Sequence, residues 1–196
     1  MTASSTVAAE ERFQASDLAF VAVFAALLAA LSLMPPIPIG PFGVPITLQT
    51  LGVALAGLCL GPWRGGLAVL LYLVVGAAGL PVFSGGAAGL APFAGPTAGY
   101  LVSFPIHAFV IGLITRAITK NGIGKMTGIW LFFGLIASRI LVMYPLGTLG
   151  IARATDSTFF DVWAADLAYW PGDAIKSVIA VLVALAVYKA FPRLMR

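Results

Sequence analysis

Apolar residues dominate the chain in six long runs, at about residues 17–34, 46–60, 65–80, 97–117, 127–151 and 173–191. From Leu18 to Trp63 there is no Asp, Glu, Lys or Arg over 46 residues, and from Gly65 to Thr115 there is none over another 51. A helix that crosses the roughly 30 Å hydrocarbon core of a bilayer needs about 20 apolar residues. The pattern therefore predicts an all-α integral membrane protein with six transmembrane helices.

The second and third runs are short for membrane spans, and only the sequence GPWRG at 61–65 separates them. Two interpretations stay open: two short spans that use their Gly/Pro flanks, which we favour, or a tight helical hairpin inside the bundle. The first run is interpreted as a retained span, because the segment before it is acidic and no small-residue cleavage site follows it.

Composition strengthens the membrane assignment. Of the 196 residues, 61% are hydrophobic and only 9% are charged, whereas a soluble domain carries roughly 25% charged residues. The net charge of +4 comes from basic residues scattered singly between apolar runs, which argues against nucleic acid as a partner and leaves the lipid bilayer as the expected surroundings. The single cysteine, Cys59, is expected to be a small buried hydrophobe.

The distribution of basic residues predicts the orientation. The N-terminus, the turn after the second run, the loop at 116–125 and the C-terminal tail carry eight of the eleven basic residues: Arg12, Arg64, Arg116, Lys120, Lys125, Lys189, Arg193 and Arg196. The opposite loops carry only Arg153. By the positive-inside rule both termini are cytoplasmic. The expected organisation is a flexible cytoplasmic segment 1–16, a single membrane domain 17–191 and a basic cytoplasmic tail 192–196.

The loops on the opposite side are uncharged and rich in Pro and Gly. Residues 35–47 read PPIPIGPFGVPIT and residues 79–97 read GLPVFSGGAAGLAPFAGPT. Proline fixes φ and glycine permits close backbone approach, so such loops can fold compactly over a bundle. We favour a lid and a pocket wall on the extracytoplasmic side; tight interhelical connections are the alternative.

The last outward loop, 153–170, is longer, acidic and aromatic. Ser157 is a candidate cap for a short amphipathic helix whose apolar face would carry Phe160, Trp163 and Leu167 at i, i+3 and i+7 spacing. Anchoring at the membrane interface is the favoured role of Trp163.

Two ionisable residues open the last apolar run. Asp173 and Lys176 lie three apart and would share one helix face, and ionisable residues inside a span are costly and usually functional. Asp173 alone is also explained as a helix cap, where its charge suits the positive end of the helix dipole. A cation in the first turn is disfavoured there, so Lys176 points to a ligand or partner.

Neutral polar residues occur at the same predicted depth on other spans. Thr47 and Gln49 begin the second run, Ser84 follows the third, and Tyr100 lies at the start of the fourth. Together with the charged pair, such groups are typical of a small-molecule pocket. Each one alone is more often a helix–helix hydrogen bond.

Two further ionisable residues lie within spans. Arg139 is midway along the fifth run with no acidic residue in that run to pair with, and both snorkelling and contact with an anionic ligand group stay open. His107 has no Cys, Asp or Glu near it in sequence, so a core histidine is favoured over a metal ligand.

The first span carries a row of small residues at four-residue spacing. Ala22, Ala26 and Ala30 form one row, and Ala25 and Ala29 form a second. Small residues at this spacing allow helices to approach closely in lipid. Packing within the bundle and docking of another membrane protein both stay open for the first row.

Several motifs are absent, and this narrows the function. The sequence contains no Gly-Lys-Ser/Thr phosphate loop, so active transport would need energy from another protein. No nucleophile–base constellation is present, so we expect a protein that is not an enzyme.

The motifs VPITLQTLGVALAGLCLG, YLVVGAAGLPVFSGG, GPTAGYLVSFP and PGDAIK occur in the order seen in one family, over most of residues 44–105 and 171–176. The chain thereby resembles the BioY-type biotin-binding subunits of energy-coupling factor (ECF) transporters. The resemblance implies a six-helix subunit that takes up biotin from outside, without a cofactor, in the bacterial cell (inner) membrane. It also implies a transmembrane coupling subunit and ATPase subunits as partners, with the Ala22, Ala26 and Ala30 row as the docking face.

The resemblance also implies roles for particular residues. Asp173 would accept an N–H of the biotin urea, and Lys176 would donate to the urea oxygen or to the carboxylate. Walls such as Phe83 and Tyr100 would cover the rings. The remaining candidate ligand contacts are Thr47, Gln49, Ser84, Gly86 and Arg139. The family often has an amide where Ser84 stands, so the contacts on that side are open. A subunit for another vitamin, or a structural membrane protein, is the alternative.

Overall fold

The computed structural model describes residues 14–39 and 42–191, and this part of the chain is helical. Its only extended pairing is a single antiparallel bridge between Ile37 and Ile46. Seven α-helices follow in chain order: α1 Ala15–Ser32, α2 Gln49–Ala77, α3 Ala98–Thr119, α4 Thr127–Ser138, α5 Tyr144–Thr155, α6 Phe159–Asp166 and α7 Trp170–Ala190. The expected all-α class is confirmed.

Five helical stretches of the described chain are long and apolar enough to cross a membrane: Ala15–Ser32, Gln49–Ala77, Ala98–Thr119, Thr127–Thr155 and Phe159–Ala190. They cover all six apolar runs, because the second and third runs fall together in α2. Most of the segment 1–16 and the whole tail 192–196 lie outside the described residues.

Helix α2 is not one straight rod. Gly61 has φ +76° in the middle of it, a left-handed conformation that glycine adopts at little cost. A Cβ added at Gly65 would lie 2.6 Å from the carbonyl oxygen of Ala56, although nine residues of straight helix would separate the two by about 13 Å. The chain therefore reverses at Gly61, and residues 49–60 and 62–77 form a helical hairpin.

The turn of this hairpin packs closely against α3. A Cβ added at Gly112 would lie 2.3 Å from the nitrogen of Pro62, and one added at Gly57 would lie 2.5 Å from the carbonyl oxygen of Ala108. Backbone meets backbone here because neither glycine has a side chain, which is the usual way for helices to associate closely in lipid. Cys59, on the same half of the hairpin, is buried as expected.

Helix α1 begins at the same end of the bundle as the hairpin turn. Asp17 in its first turn forms an ion pair with Arg64, with 3.0 Å between Oδ1 and Nε. The buried face of α1 includes Val21, Ala25 and Leu28, whereas the row Ala22, Ala26 and Ala30 is exposed. Packing within the bundle therefore does not explain this row.

Helices α4 and α5 are joined by one π-helical turn, Arg139–Met143. Such turns are rare and often occur at functional sites. The helical stretch ends at Thr155, four residues beyond the predicted run. Asp156 then adopts a left-handed conformation with φ +50°, which ends α5.

One expectation for the following segment was wrong. Helix α6 is capped by Thr158 and not by Ser157, because the Thr158 hydroxyl accepts the backbone N–H of Asp161. Phe160 and Leu167 are 81% and 53% exposed, so the expected apolar face of the segment points away from the bundle. The face that packs inward carries Val162 and Asp166.

Helix α7 begins three residues before the predicted start. Its first residue is Trp170, with Pro171 in the first turn, where proline needs no N–H partner. Asp173 is therefore already inside the helix, and its side chain does not cap it. The capping interpretation of Asp173 was wrong.

Candidate functional site

A cavity opens at the end of the bundle opposite the hairpin turn. It contains about 510 Å³ of space between the surrounding atoms, part of it open to solvent. Its wall comes from the loop before α2 and from α2, α3, the π-helical turn and α7. The lining residues are Val44, Pro45, Ile46, Thr47, Gln49, Thr50, Ser84, Thr97, Tyr100, Leu101, Phe104, Arg139, Tyr169, Asp173 and Lys176.

Asp173 and Lys176 form an ion pair in the cavity wall. The distance between Oδ1 of Asp173 and Nζ of Lys176 is 2.5 Å, and both side chains are about nine-tenths buried. The one-turn spacing on α7 places them on a single face, as predicted. Neither charge faces lipid, so each compensates the burial cost of the other.

All three ammonium protons of Lys176 have an acceptor. Besides Asp173, Nζ donates to the carbonyl oxygen of Thr47 at 3.0 Å and to the hydroxyl of Thr50 at 2.7 Å. The Thr50 hydroxyl donates in turn to Oδ1 of Asp173 at 3.2 Å. Lys176 therefore ties α7 to the start of α2, and Thr50 is a site residue that sequence reasoning missed.

Arg139 reaches two acidic residues on other helices, so the snorkelling interpretation was wrong. Its Nη1 lies 2.5 Å from Oδ2 of Asp173 and 3.3 Å from the sulfur of Met143. Its Nη2 lies 3.5 Å from Oδ2 of Asp166. The π-helical turn places this guanidinium between α6 and α7.

Asp166 was also missed from the sequence. Its side chain is fully buried, and Oδ1 accepts a short hydrogen bond from the hydroxyl of Tyr100. A signal was present: Val162, Asp166, Tyr169, Asp173 and Lys176 are spaced by four, three, four and three residues, and all are buried. That spacing is one continuous helical face.

The neutral candidates fall into two groups. Thr47, Gln49, Ser84 and Tyr100 line the cavity. Gln49 is held in place because its amide nitrogen donates to the hydroxyl of Tyr72 at 2.8 Å.

Phe83 and Gly86 do not line the cavity. Phe83 is buried in the core, where its ring packs edge-on against Tyr72 and against Gly76, which leaves space for the ring. Gly86 is exposed in the loop that follows.

The loop at 35–47 forms one side of the cavity. Its two arms are joined by the Ile37–Ile46 bridge, with N–H···O distances of 2.9 and 2.8 Å. The hydroxyl of Tyr169, just before α7, donates to the carbonyl oxygen of Val44 at 2.5 Å. The described part of this loop is therefore bonded to the segment that carries Asp166 and Asp173.

His107 lies behind the charged residues. It is buried, and its Nδ1 is 2.8 Å from the hydroxyl of Ser138, so the core-histidine expectation is confirmed. It borders a smaller cavity of about 300 Å³ whose wall also includes Arg139, Asp173 and Lys176. These three side chains therefore separate the two cavities.

Comparison with known proteins gives one consistent result. A model described as the BioY family matches residues 4–193. The "Biotin transporter BioY" of Rhizobium etli is 42% identical over 179 residues, which cover 91% of this chain and 96% of the relative. That of Rhodobacter capsulatus is 42% identical over 185 residues, 90% of this chain and 95% of the relative.

A solved structure agrees. The crystal structure of the S-component for biotin from an ECF-type ABC transporter superposes with a TM-score of 0.83 at 28% identity. The superposition covers 89% of this chain and 91% of that one.

Proposed function

Because the chain belongs to the BioY family, we propose that it is the biotin-binding uptake subunit of an ECF-type vitamin transporter. The observation that carries the proposal is the buried set of Arg139, Asp173 and Lys176 in the wall of the cavity. The relatives are named biotin transporters and the structural neighbour is a substrate-binding component. The role is therefore binding rather than catalysis.

The chemistry of the cavity suits biotin. Biotin offers two urea N–H donors, a urea carbonyl, an apolar bicyclic ring and a carboxylate. Asp173 has a free lone pair on Oδ2, which has only Arg139 as a partner, and we propose that it accepts a urea N–H. Tyr100 and the apolar loop residue Ile46 would cover the rings.

Lys176 has no free proton in this arrangement. We propose that a ligand oxygen, of either the urea or the carboxylate, takes the place of one of its three acceptors. The carbonyl oxygen of Thr47, the most distant at 3.0 Å, is the best candidate. Gln49, Ser84 and Arg139 line the same space and would supply further contacts. The positions of Phe83 and Gly86 outside the wall argue against direct contacts by these two.

Six membrane spans with both termini in the cytoplasm account best for the fold. The reversal at Gly61 divides α2 into two antiparallel halves, and the Asp17–Arg64 pair places the start of α1 beside that turn. Since Arg64 is among the basic residues assigned to the cytoplasmic side, the cavity at the other end would open outward. We propose the bacterial inner membrane as its location, because the similar transporters of Rhizobium etli and Rhodobacter capsulatus are bacterial.

The proposed lid is the loop at 35–47. It forms one wall of the cavity, and Tyr169 fastens it to the amphipathic segment 153–170. Movement of this loop would open the cavity, and it would also release the Thr47 carbonyl oxygen from Lys176.

The proposed partners are a transmembrane coupling subunit and ATPase subunits. The chain has no nucleotide-binding motif of its own, and the exposed row Ala22, Ala26 and Ala30 offers a flat surface for close helix contact. Ala26→Trp should abolish biotin uptake in cells that contain the partners while biotin binding to the purified chain persists. Leu182→Trp, on an exposed part of α7, is the control and should leave uptake unchanged.

Equilibrium binding to the purified chain tests the proposed function. Biotin should bind saturably, raise the melting temperature with increasing concentration, and resist competition by riboflavin or thiamine. Displacement by another vitamin at lower concentration would favour the rival subunit class. A complete lack of ligand-induced shift would favour a structural membrane protein.

A further inference from the structure

Asp166 lies behind the cavity wall rather than in it. Arg139 lines the cavity and Asp166 does not, although the two side chains form an ion pair with 3.5 Å between Nη2 and Oδ2. Asp166 can therefore influence a ligand only through the position and charge of Arg139.

This ion pair lacks the support that buried charges usually have. Nη2 of Arg139 and Oδ2 of Asp166 are both buried, and neither has a hydrogen-bond partner within the described structure. Their side chains are 6% and 0% exposed. Removal of Arg139 would leave the Asp166 charge buried without a cation, which is strongly unfavourable. Removal of Asp166 would leave Arg139 with Asp173 alone, an anion that it shares with Lys176. The two groups depend on each other for charge balance.

Tyr100 fixes the far side of Asp166. Its hydroxyl donates to Oδ1, and Tyr100 itself lies in the first turn of α3 and lines the cavity. Asp166 is therefore held by α3 on one side and by the π-helical turn on the other. This arrangement leaves the carboxylate little freedom to move away from Arg139.

Asp166 also affects the net charge beside the cavity. Two cations, Arg139 and Lys176, face two anions, Asp166 and Asp173, within one connected set of ion pairs. The set is therefore neutral as it stands. Neutralising Asp166 would leave one positive charge beside the cavity, in surroundings where charges interact strongly.

We infer that Asp166 is a positioning residue that holds Arg139 and sets the net charge sensed by the ligand, and so determines how strongly the site discriminates an acid from its neutral amide. The inference rests on the proposed function, because biotin and biotinamide are the matched acid and amide. It assigns the control of selectivity to a residue that does not line the cavity.

Asp166→Asn tests whether the negative charge of Asp166 controls selectivity. Asparagine keeps the size of the side chain and an acceptor oxygen for Tyr100 while it removes the negative charge. The ratio of biotin to biotinamide affinity should rise about tenfold in equilibrium binding to the purified chain. A loss of both affinities by the same factor would mean a structural role only and would overturn the inference.

Two controls separate charge from packing. Tyr100→Phe removes the hydrogen bond to Asp166 without any change of charge, so any loss of affinity should be shared by biotin and biotinamide, and the ratio of the two affinities should hold within about twofold. Asp156→Asn removes one charge from an exposed position on the same loop, where asparagine tolerates the left-handed backbone. It should leave the ratio unchanged. A rise of the ratio in either control to the level of Asp166→Asn would overturn the inference.

A measurement without ligand distinguishes failure of this inference from failure of the proposed function. Melting temperatures of Asp166→Asn, Arg139→Gln and the double variant form a double-mutant cycle. The fall in melting temperature of the double variant should be clearly smaller than the sum of the falls for the two single variants. Additive losses would overturn the positioning role even if the chain binds biotin, whereas absent biotin binding with a coupled cycle would overturn the proposed function alone.

Discussion

The two ends of the bundle are held together by different interactions. At the hairpin end, Gly57 and Gly112 allow backbone to meet backbone at van der Waals contact, and Gly61 provides the left-handed turn. At the cavity end, long side chains meet instead: Arg139 and Lys176 each form an ion pair with Asp173 in the cavity wall. The hairpin end has almost no room for an added side chain, and the other end contains the cavity.

The difference suggests a division of labour. Backbone contacts fix helices rigidly because an added atom has nowhere to go. Side-chain ion pairs and hydrogen bonds can exchange one partner for another, as a binding site requires. The hairpin end therefore holds the helices in fixed positions. At the cavity end, charged and polar side chains can exchange a partner in the protein for a ligand atom.

The largest effect is expected from Gly112→Ala at the hairpin end. The new methyl group would lie 2.3 Å from the nitrogen of Pro62 and 2.4 Å from the carbonyl carbon of Gly61, so backbone must shift, at a cost above about 3 kcal/mol. The yield of folded protein in detergent should collapse. Gly66→Ala is the matched control, since its nearest contacts are at 3.6 Å. Equal yields for the two variants would refute tight packing at this end.

A smaller effect is expected from Asp173→Leu at the cavity end. Loss of this anion leaves Lys176 and Arg139 with fewer compensating charges, and the free energy of unfolding should fall by about 3 kcal/mol. Adding Lys176→Met should restore part of the stability while biotin binding stays lost. If the double variant were less stable than Asp173→Leu, the two residues would not compensate each other.

Tyr169→Phe should have a modest and mainly kinetic effect. It removes the 2.5 Å hydrogen bond to Val44, worth about 1 kcal/mol, and so loosens the loop at 35–47. Biotin should dissociate about fivefold faster with little change in melting temperature. An unchanged dissociation rate would argue against this loop as the lid.

The smallest effect is expected from Arg64→Ala. Its ion pair with Asp17 is at the hairpin end, where the Asp17 side chain is 9% exposed and the Arg64 side chain 33% exposed. Asp17 keeps the backbone N–H of Gln14 as a partner, and water reaches Arg64, so we expect a cost of no more than about 1 kcal/mol. The melting temperature should barely change. A loss comparable to that of Asp173→Leu would show that side-chain charges also hold the hairpin end together.

The sequence was sufficient to predict the helical membrane class and the Asp173–Lys176 pair. Both depend on short-range patterns, namely the length of apolar runs and the spacing of residues along one helix. Helix starts were harder to predict. Trp170 and Pro171 extend α7 backward, because proline is compatible with a first turn as well as with a loop.

The sequence did not reveal which acidic residues meet Arg139. Its partners come from α6 and α7, and such a contact depends on how helices pack rather than on spacing within one run. Phe83 illustrates the same difficulty, because it was predicted at the site and does not lie there. Its motif suggested a cavity wall, but the space above Gly76 draws the ring into the core. Asp166 was recognisable only from the spacing of buried residues from Val162 to Lys176, which continues from α6 into α7.

Biotin binding by Lys176→Met tests the central claim most directly, namely that the buried charged set forms the binding site. Lys189→Met is the matched control, because Lys189 is an exposed lysine at the other end of the same helix. Isothermal titration of both purified variants should show saturable biotin binding for Lys189→Met and none for Lys176→Met. Equal affinities for the two variants would contradict the account.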